Sequence, residues 1–158
     1  MSAPFSPGAL TTLLQREESL RDEAALALKQ AQDRLAYAES QMQMLHDYRD
    51  EYVARWQAEF GRAATPQILQ CYHAFKGRLE EAISQQHDTL RQRESQVERT
   101  RAALVRAETR AAAVRKLIER RQAEWQRTED RRARKLEDEF GRRSVWPGSQ
   151  LDSLVAQD

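Results

Sequence analysis

The sequence predicts an all-α fold: a two-helix antiparallel coiled-coil hairpin with unequal helices and a disordered C-terminal tail. Three observations carry this reading. Turn-forming residues are scarce, 5 Gly and 4 Pro in 158 residues, about half the frequency of ordinary proteins. They are also grouped, with Pro4, Pro7 and Gly8 at the start, Gly61 and Pro66 in the middle, and Gly141, Pro147 and Gly148 near the end; Gly77 alone falls between the groups. Finally, apolar residues recur in alternating steps of four and three. A sandwich, a barrel or an α/β sheet needs many more turns and is excluded.

The punctuation sets the elements in order. Ser6-Pro7 is a helix start, because Ser accepts a backbone N–H at the N-cap and Pro is pre-shaped for the first helical position. Gly61 reads as a left-handed C-terminal stop, Thr65-Pro66 repeats the start signal, and Gly141 supplies a second stop. The expected helices are roughly 7–60 and 66–140, in a hairpin domain of residues 1–141. Residues 142–158 lack a period and read as a flexible tail. The link Arg62 to Thr65 is short enough to force the helices antiparallel as neighbours. At 1.5 Å per residue, helices of about 80 Å and 110 Å make a rod.

The apolar period supports a coiled coil. In the first helix the seam runs Ala24, Leu28, Ala31, Leu35, Ala38, Met42, Leu45, Tyr52 and Trp56, broken by Arg49 and weak at Glu17 and Arg21. In the second helix one seam position reads Leu69, Lys76, Ile83, Leu90, Val97, Leu104, Ala111, Ile118, Trp125. Its companion reads Tyr72, Leu79, Gln86, Arg93, Thr100, Ala107, Val114, Arg121. A sustained seven-residue repeat specifies left-handed supercoiling. Pairing outward from the turn places Pro7 near position 119, so roughly residues 120–140 extend beyond the first helix as an arm. The polar companion seam predicts modest stability and fraying toward the open end.

Composition bounds the function. Charged residues are 32% and hydrophobic ones 40%, a mixture suited to a long solvated helix. No apolar run approaches the ~20 residues that span a bilayer, and no signal peptide opens the chain, so no direct membrane insertion is expected. Lone Cys71 fits a reducing cytoplasm. Residues 1–60 carry 6 basic and 10 acidic side chains, and residues 61–158 carry 20 and 15; the halves attract, consistent with folding back.

No chemistry of bond-making is apparent. His46, His73 and His87 have no partners at metal-ligand spacing, and Asp50 pairs with His46 only as a solvated contact, so no metal is expected. Cys71 and His73 point to different sides of a helix, which leaves a buried or half-buried inert thiol. There is no phosphate loop and no cofactor motif, and two helices offer no enclosed pocket for a reaction. The chain is therefore read as having no catalytic residues. Residues 120–143 hold 9 basic and 6 acidic side chains, and interleaved acids argue against nucleic acid as a partner.

Aromatics are the sharper signal. Six of the eleven (Tyr48, Tyr52, Trp56, Phe60, Tyr72, Phe75) fall within 28 residues around the turn. Tyr52, Trp56 and Tyr72 occupy seam positions and close the hairpin tip. Tyr48 and Phe75 each sit one position before a seam residue, on facing flanks, and read as anchors for a protein partner.

These residues resemble a known family. Met42 to Tyr52 (MQMLHDYRDEY) is similar to the "L..L.dY..eY" signature of FliJ, a soluble protein of the bacterial flagellar type III export apparatus. Tyr72 to Ile83 (YHAFKGRLEEAI) is similar to its "Y..F...Le.aI" segment, and Leu10–Glu17 and the Lys135–Phe140 ending (KLEDEF) also resemble the family. The resemblance covers most of residues 8–143. It implies a coiled coil like the central stalk of rotary ATPases, whose open end enters the hexameric ring of the export ATPase FliI and promotes its assembly and hydrolysis. It also implies binding to the cytoplasmic domain of the membrane export gate FlhA and to export chaperones, and hence a cytoplasmic location at the inner-membrane apparatus. By resemblance the gate-binding surface comprises Gln41, Leu45, Tyr48, Tyr52, Phe75, Leu79, Ala82 and Gln86; the family usually carries His at the last position. Ring contact would fall on Leu10, Leu14, Glu17, Trp125, Leu136 and Phe140. The rival readings are the equivalent stalk of a virulence-type secretion system and a generic coiled-coil scaffold; the Tyr48/Tyr52 motif favours the flagellar branch.

Overall fold

The computed structural model describes residues 7–144, and over them the chain forms two helices, α1 (Pro7–Phe60, 54 residues) and α2 (Pro66–Ser144, 79 residues). Among the described residues there is no strand. α1 starts at Pro7 and stops at Phe60, the bounds its punctuation predicts; Ser6, the expected N-cap, lies outside the described residues. In the turn, the Ala63 N–H donates to the Phe60 carbonyl at 3.4 Å. Thr65 caps α2: its hydroxyl accepts from the Ile68 N–H at 3.4 Å, and its carbonyl accepts from the Leu69 N–H at 3.0 Å. The side-chain bond meets one of the four orphan donors of a helix start.

Two glycines act differently from expectation. Gly61 is not a left-handed stop, since no described residue has a positive φ. It is instead required by close approach: a Cβ there would lie 2.6 Å from the Gln57 carbonyl oxygen. Gly141 is not a stop either, because α2 passes through it to Ser144. One glycine inside a helix costs about 1 kcal/mol, which a long helix absorbs. Arg142 and Arg143 in the last turn favour continuation by complementing the helix dipole, and the Ser144 hydroxyl donates to the Gly141 carbonyl at 2.9 Å. Residues 142–144, expected in the tail, are thus helical; the rest of that segment, 145–158, lies outside the described residues.

The chain divides into two compact units. The first, Gln15–Ala111, is an antiparallel hairpin. Early residues of α1 meet late residues of α2, as in the Glu17–Arg110 ion pair at 3.3 Å, while Tyr52 and Tyr72 stack beside the turn. Its core is a narrow seam: Ala31, Ala38 and Met42 from α1 are buried with Tyr72, Leu79, Ile83, Val97, Ala107 and Ala111 from α2. Every α1 seam position from Glu17 to Trp56, Arg49 included, is buried or half-buried. The four alanines let the two backbones approach closely, and no large side chain is fully enclosed. Each therefore contributes less than the roughly 1.5–3 kcal/mol of a fully buried apolar side chain. Two expected seam residues of α2 are exposed, Leu69 and Arg93. Leu69 stands in the first turn of α2, where the helix has only begun, and the Arg93 guanidinium keeps its charge in water.

In the second unit, described over residues 7–14 and 112–144, Leu10, Leu14, Val114 and Ile118 are half-buried. From residue 119 to 144 every side chain is exposed except half-buried Glu129, which accepts from Arg132 at 2.7 Å. Arg121 and Trp125, expected on the seam, belong to this exposed stretch. The seam's heptad period continues through them, but they lie on the bare face of α2.

Candidate partner-binding surfaces

The residues flanking the turn build an aromatic cluster from both helices. Trp56 stacks on Tyr72 with ring centroids 4.1 Å apart, and Tyr72 stacks on Tyr52 at 5.7 Å with planes only 13° apart. Phe75 leans on Tyr52 at 4.5 Å, and Tyr48 meets Phe75 edge-on at 6.2 Å. Phe60 adds a contact to Trp56 at 6.3 Å. The i, i+4 spacing of Tyr48, Tyr52, Trp56 and Phe60 puts four rings on one side of α1. Tyr72 and Phe75, three apart on α2, fill the gaps between them. The indole N–H of Trp56 is buried without a hydrogen-bond partner, a local cost in exchange for the stack.

The cluster grades from core to surface. Tyr72 is buried at 8% exposure, Tyr52, Trp56 and Phe75 are half-buried, and Tyr48 is exposed at 51%. Phe75 is therefore more packed than its flank position suggests, because Tyr52 leans across to it. Tyr48 is the ring left free to touch something else.

The other residues of the expected gate surface are spread along the same side of the hairpin. Leu45 and Ala82 are half-buried, and Leu79 is buried in the seam. Gln41 donates to the Tyr37 hydroxyl at 3.0 Å. Gln86 donates across the seam to the Ala38 carbonyl at 2.9 Å, a bond possible because Ala38 is too small to block it. This bond is a feature the sequence reading missed: it uses a polar seam residue to fix the register of the two helices. Of the eight residues, ring contacts join Tyr48, Tyr52 and Phe75 directly.

The residues expected at the ring are of two kinds. Leu10 and Leu14 are half-buried, and the Glu17 carboxylate, only 15% exposed, accepts from Arg110. Trp125, Leu136 and Phe140 are bare, at 57%, 55% and 68% exposure. Their spacing of eleven and four residues puts them on one helical face. Three large apolar side chains in water on one face mark an interaction surface more readily than isolated exposed residues do.

Among the described residues no group of three or more His, Cys, Asp or Glu is placed to hold a metal ion. No described helix is long and apolar enough to cross a membrane. Cys71, expected to be buried or half-buried, is exposed; it precedes the seam residue Tyr72 and projects off the seam. Arg21 has its pKa raised by the hydrogen bond and charge of neighbouring Asp22, 2.8 Å away.

The sequence matches the family described as Flagellar FliJ protein over residues 6–149. It is 31% identical over 138 residues to a protein of Salmonella typhi described as "Flagellar FliJ protein", an alignment spanning 87% of this chain and 94% of that one.

Proposed function

The chain belongs to the flagellar FliJ family, a component of flagellar protein export, and from that premise we propose that it is a non-enzymatic stalk and adaptor. In this reading the exposed stretch of α2 enters the central opening of the export ATPase ring and promotes ring assembly and hydrolysis. The aromatic flank beside the turn docks on the cytoplasmic domain of the export gate, and the protein serves export chaperones from the cytoplasmic side of the inner membrane.

The observation that carries the reading is the division of apolar side chains along α2. Near the turn they are spent on the hairpin's own seam, as with buried Tyr72, Leu79 and Ile83; from residue 119 onward they are bare, as with Trp125, Leu136 and Phe140. A helix that bears large apolar side chains but buries none of them is suited to supplying one side of a contact whose other side belongs to a partner.

The test is the combined variant Trp125→Ala, Leu136→Ala, Phe140→Ala. We expect unchanged helicity by circular dichroism, unchanged capture of the gate domain, and loss of ATPase ring assembly in sedimentation velocity. Ring assembly promoted as well by the variant as by the wild type contradicts the insertion.

A further inference from the structure

The hairpin unit carries a feature that neither the seam nor the aromatic cluster uses. Midway along it, a surface depression of about 560 Å³ is lined by Arg34 from α1 and by Arg91, Arg93 and Arg99 from α2, with Ser95 and Gln96 between them. All four arginines are exposed, and no carboxylate lines the depression. None of the four is in an ion pair, as is also true of Arg16, Arg62, Arg78 and Arg106 in the same unit, whereas Arg21, Arg49, Arg55, Arg101 and Arg110 each pair with an Asp or Glu; what sets the four apart is that they share one depression. Glu94, between Arg93 and Ser95 in the sequence, does not line the depression, and Glu98 is taken by Arg101 at 2.8 Å.

For the isolated fold this cluster is a cost. Like charges gathered without an ion-pair partner repel; Asp33 borders the adjoining cavity with Arg34 and Arg93 but is in an ion pair with neither. Arg93 also occupies a seam position where an apolar residue would bury surface. The same guanidinium borders an adjoining cavity of about 350 Å³ beside Gln86 and Ala38, so the seam is interrupted here rather than merely decorated. Guanidinium forks match carboxylates in bidentate geometry.

We propose that this depression is a docking site for an acidic segment of a partner protein, whose Asp or Glu side chains bridge Arg34 and Arg93 across the two helices and Arg91 and Arg99 along α2. The ligand is a short acidic peptide rather than a nucleic acid because the positive charge is compact. Residues 15–111 hold 15 Lys and Arg against 16 Asp and Glu, a net charge of −1, so a phosphate backbone running beyond the four arginines meets carboxylates. Nucleic-acid binding draws its affinity from extended rows of phosphate contacts. The depression shares no lining residue with the gate and ring surfaces proposed above, and because Arg34 and Arg93 also border the adjoining cavity with Gln41 and Gln86, the test reads peptide binding directly rather than gate capture.

The experiment is fluorescence anisotropy of a labelled polyglutamate peptide titrated with the full chain. Two double variants, Arg34→Gln with Arg93→Gln and Arg91→Gln with Arg99→Gln, are compared with Arg62→Gln with Arg106→Gln, exposed arginines that remove the same charge elsewhere on the hairpin unit. Glutamine is a good helix former at exposed positions, and circular dichroism verifies that helicity is kept. We expect each cluster variant to weaken binding about tenfold, equivalent to about 1.4 kcal/mol, and the control pair to leave it unchanged. Equal loss in the control overturns the proposal by showing a response to bulk charge. Absence of peptide binding overturns it too. So does a duplex DNA or inorganic phosphate probe that binds more tightly than the peptide and depends on the same arginines.

Discussion

Replacing Tyr72 with alanine tests how the turn end of the hairpin is held together. Tyr72 is 8% exposed and lies between two stacked neighbours, Trp56 at 4.1 Å and Tyr52 at 5.7 Å. Truncating a buried aromatic costs about 3–5 kcal/mol, because the transfer energy of the ring and the cavity left behind add. Collapse into that cavity is hindered, since Trp56 and Tyr52 sit on α1 and Tyr72 is their ring contact to α2 along with Phe75. Tyr48, 51% exposed with one edge-on contact at 6.2 Å, stands to lose only the pair energy, about 0.5–1.5 kcal/mol. Urea and thermal unfolding, each followed by far-ultraviolet circular dichroism, measure both losses. For a unit of this size each kcal/mol moves the thermal midpoint by roughly 4–8 °C, so Tyr72→Ala should lower it by at least about 12 °C and Tyr48→Ala by far less. Equal losses for the two variants would refute the gradation from packed to free rings. A loss below about 1 kcal/mol for Tyr72→Ala would refute the claim that the stack closes the hairpin.

Other substitutions probe the remaining local arguments. Gly77→Ala should raise the urea midpoint by the equivalent of about 0.5–1 kcal/mol, because a Cβ there meets nothing within 4 Å and alanine is the better helix former. Gly61→Ala should lower the midpoint, since the new methyl would stand 2.6 Å from the Gln57 carbonyl oxygen and force the turn to shift. Thr65→Ala, by removing the cap on α2, should cost about 0.5–2 kcal/mol in the same assay. A double-mutant cycle on Glu17 and Arg110 should return at most about 1 kcal/mol, shrinking in high salt, because the arginine side is 55% exposed.

The large features of the fold were legible because a long coiled coil writes its structure in a single repeated pattern. The four-three spacing from Glu17 to Trp56 selected residues that are all buried or half-buried, and Thr65-Pro66 marked the start of α2 to the residue. The glycines were legible only in part. α1 ends at Phe60, immediately before Gly61, though without a left-handed residue there, whereas Gly141 marks no stop, because a helix ends only where neighbouring turns do not outweigh the roughly 1 kcal/mol that glycine costs. Arg93, Arg121 and Trp125 keep the heptad spacing and are nonetheless exposed, because periodicity shows which face a residue lies on and not whether anything covers that face. At the candidate sites, the Tyr48–Phe75 contact followed from pairing arithmetic, whereas the half-burial of Phe75 depended on how far Tyr52 reaches across. The Gln86–Ala38 hydrogen bond and the arginine-lined depression were not apparent, since each joins residues distant in sequence through side-chain geometry. The polar run Gln86, Arg93, Thr100 in the companion seam was the signal that could have located both.

In the proposed function this chain acts on the export ATPase as a stalk. The most direct measurement is the ATP hydrolysis rate of the cognate export ATPase titrated with the purified chain, alongside the chain alone. We expect a specific activity that rises and saturates with added chain, and no hydrolysis by the chain alone. An unchanged rate at saturating chain would contradict it.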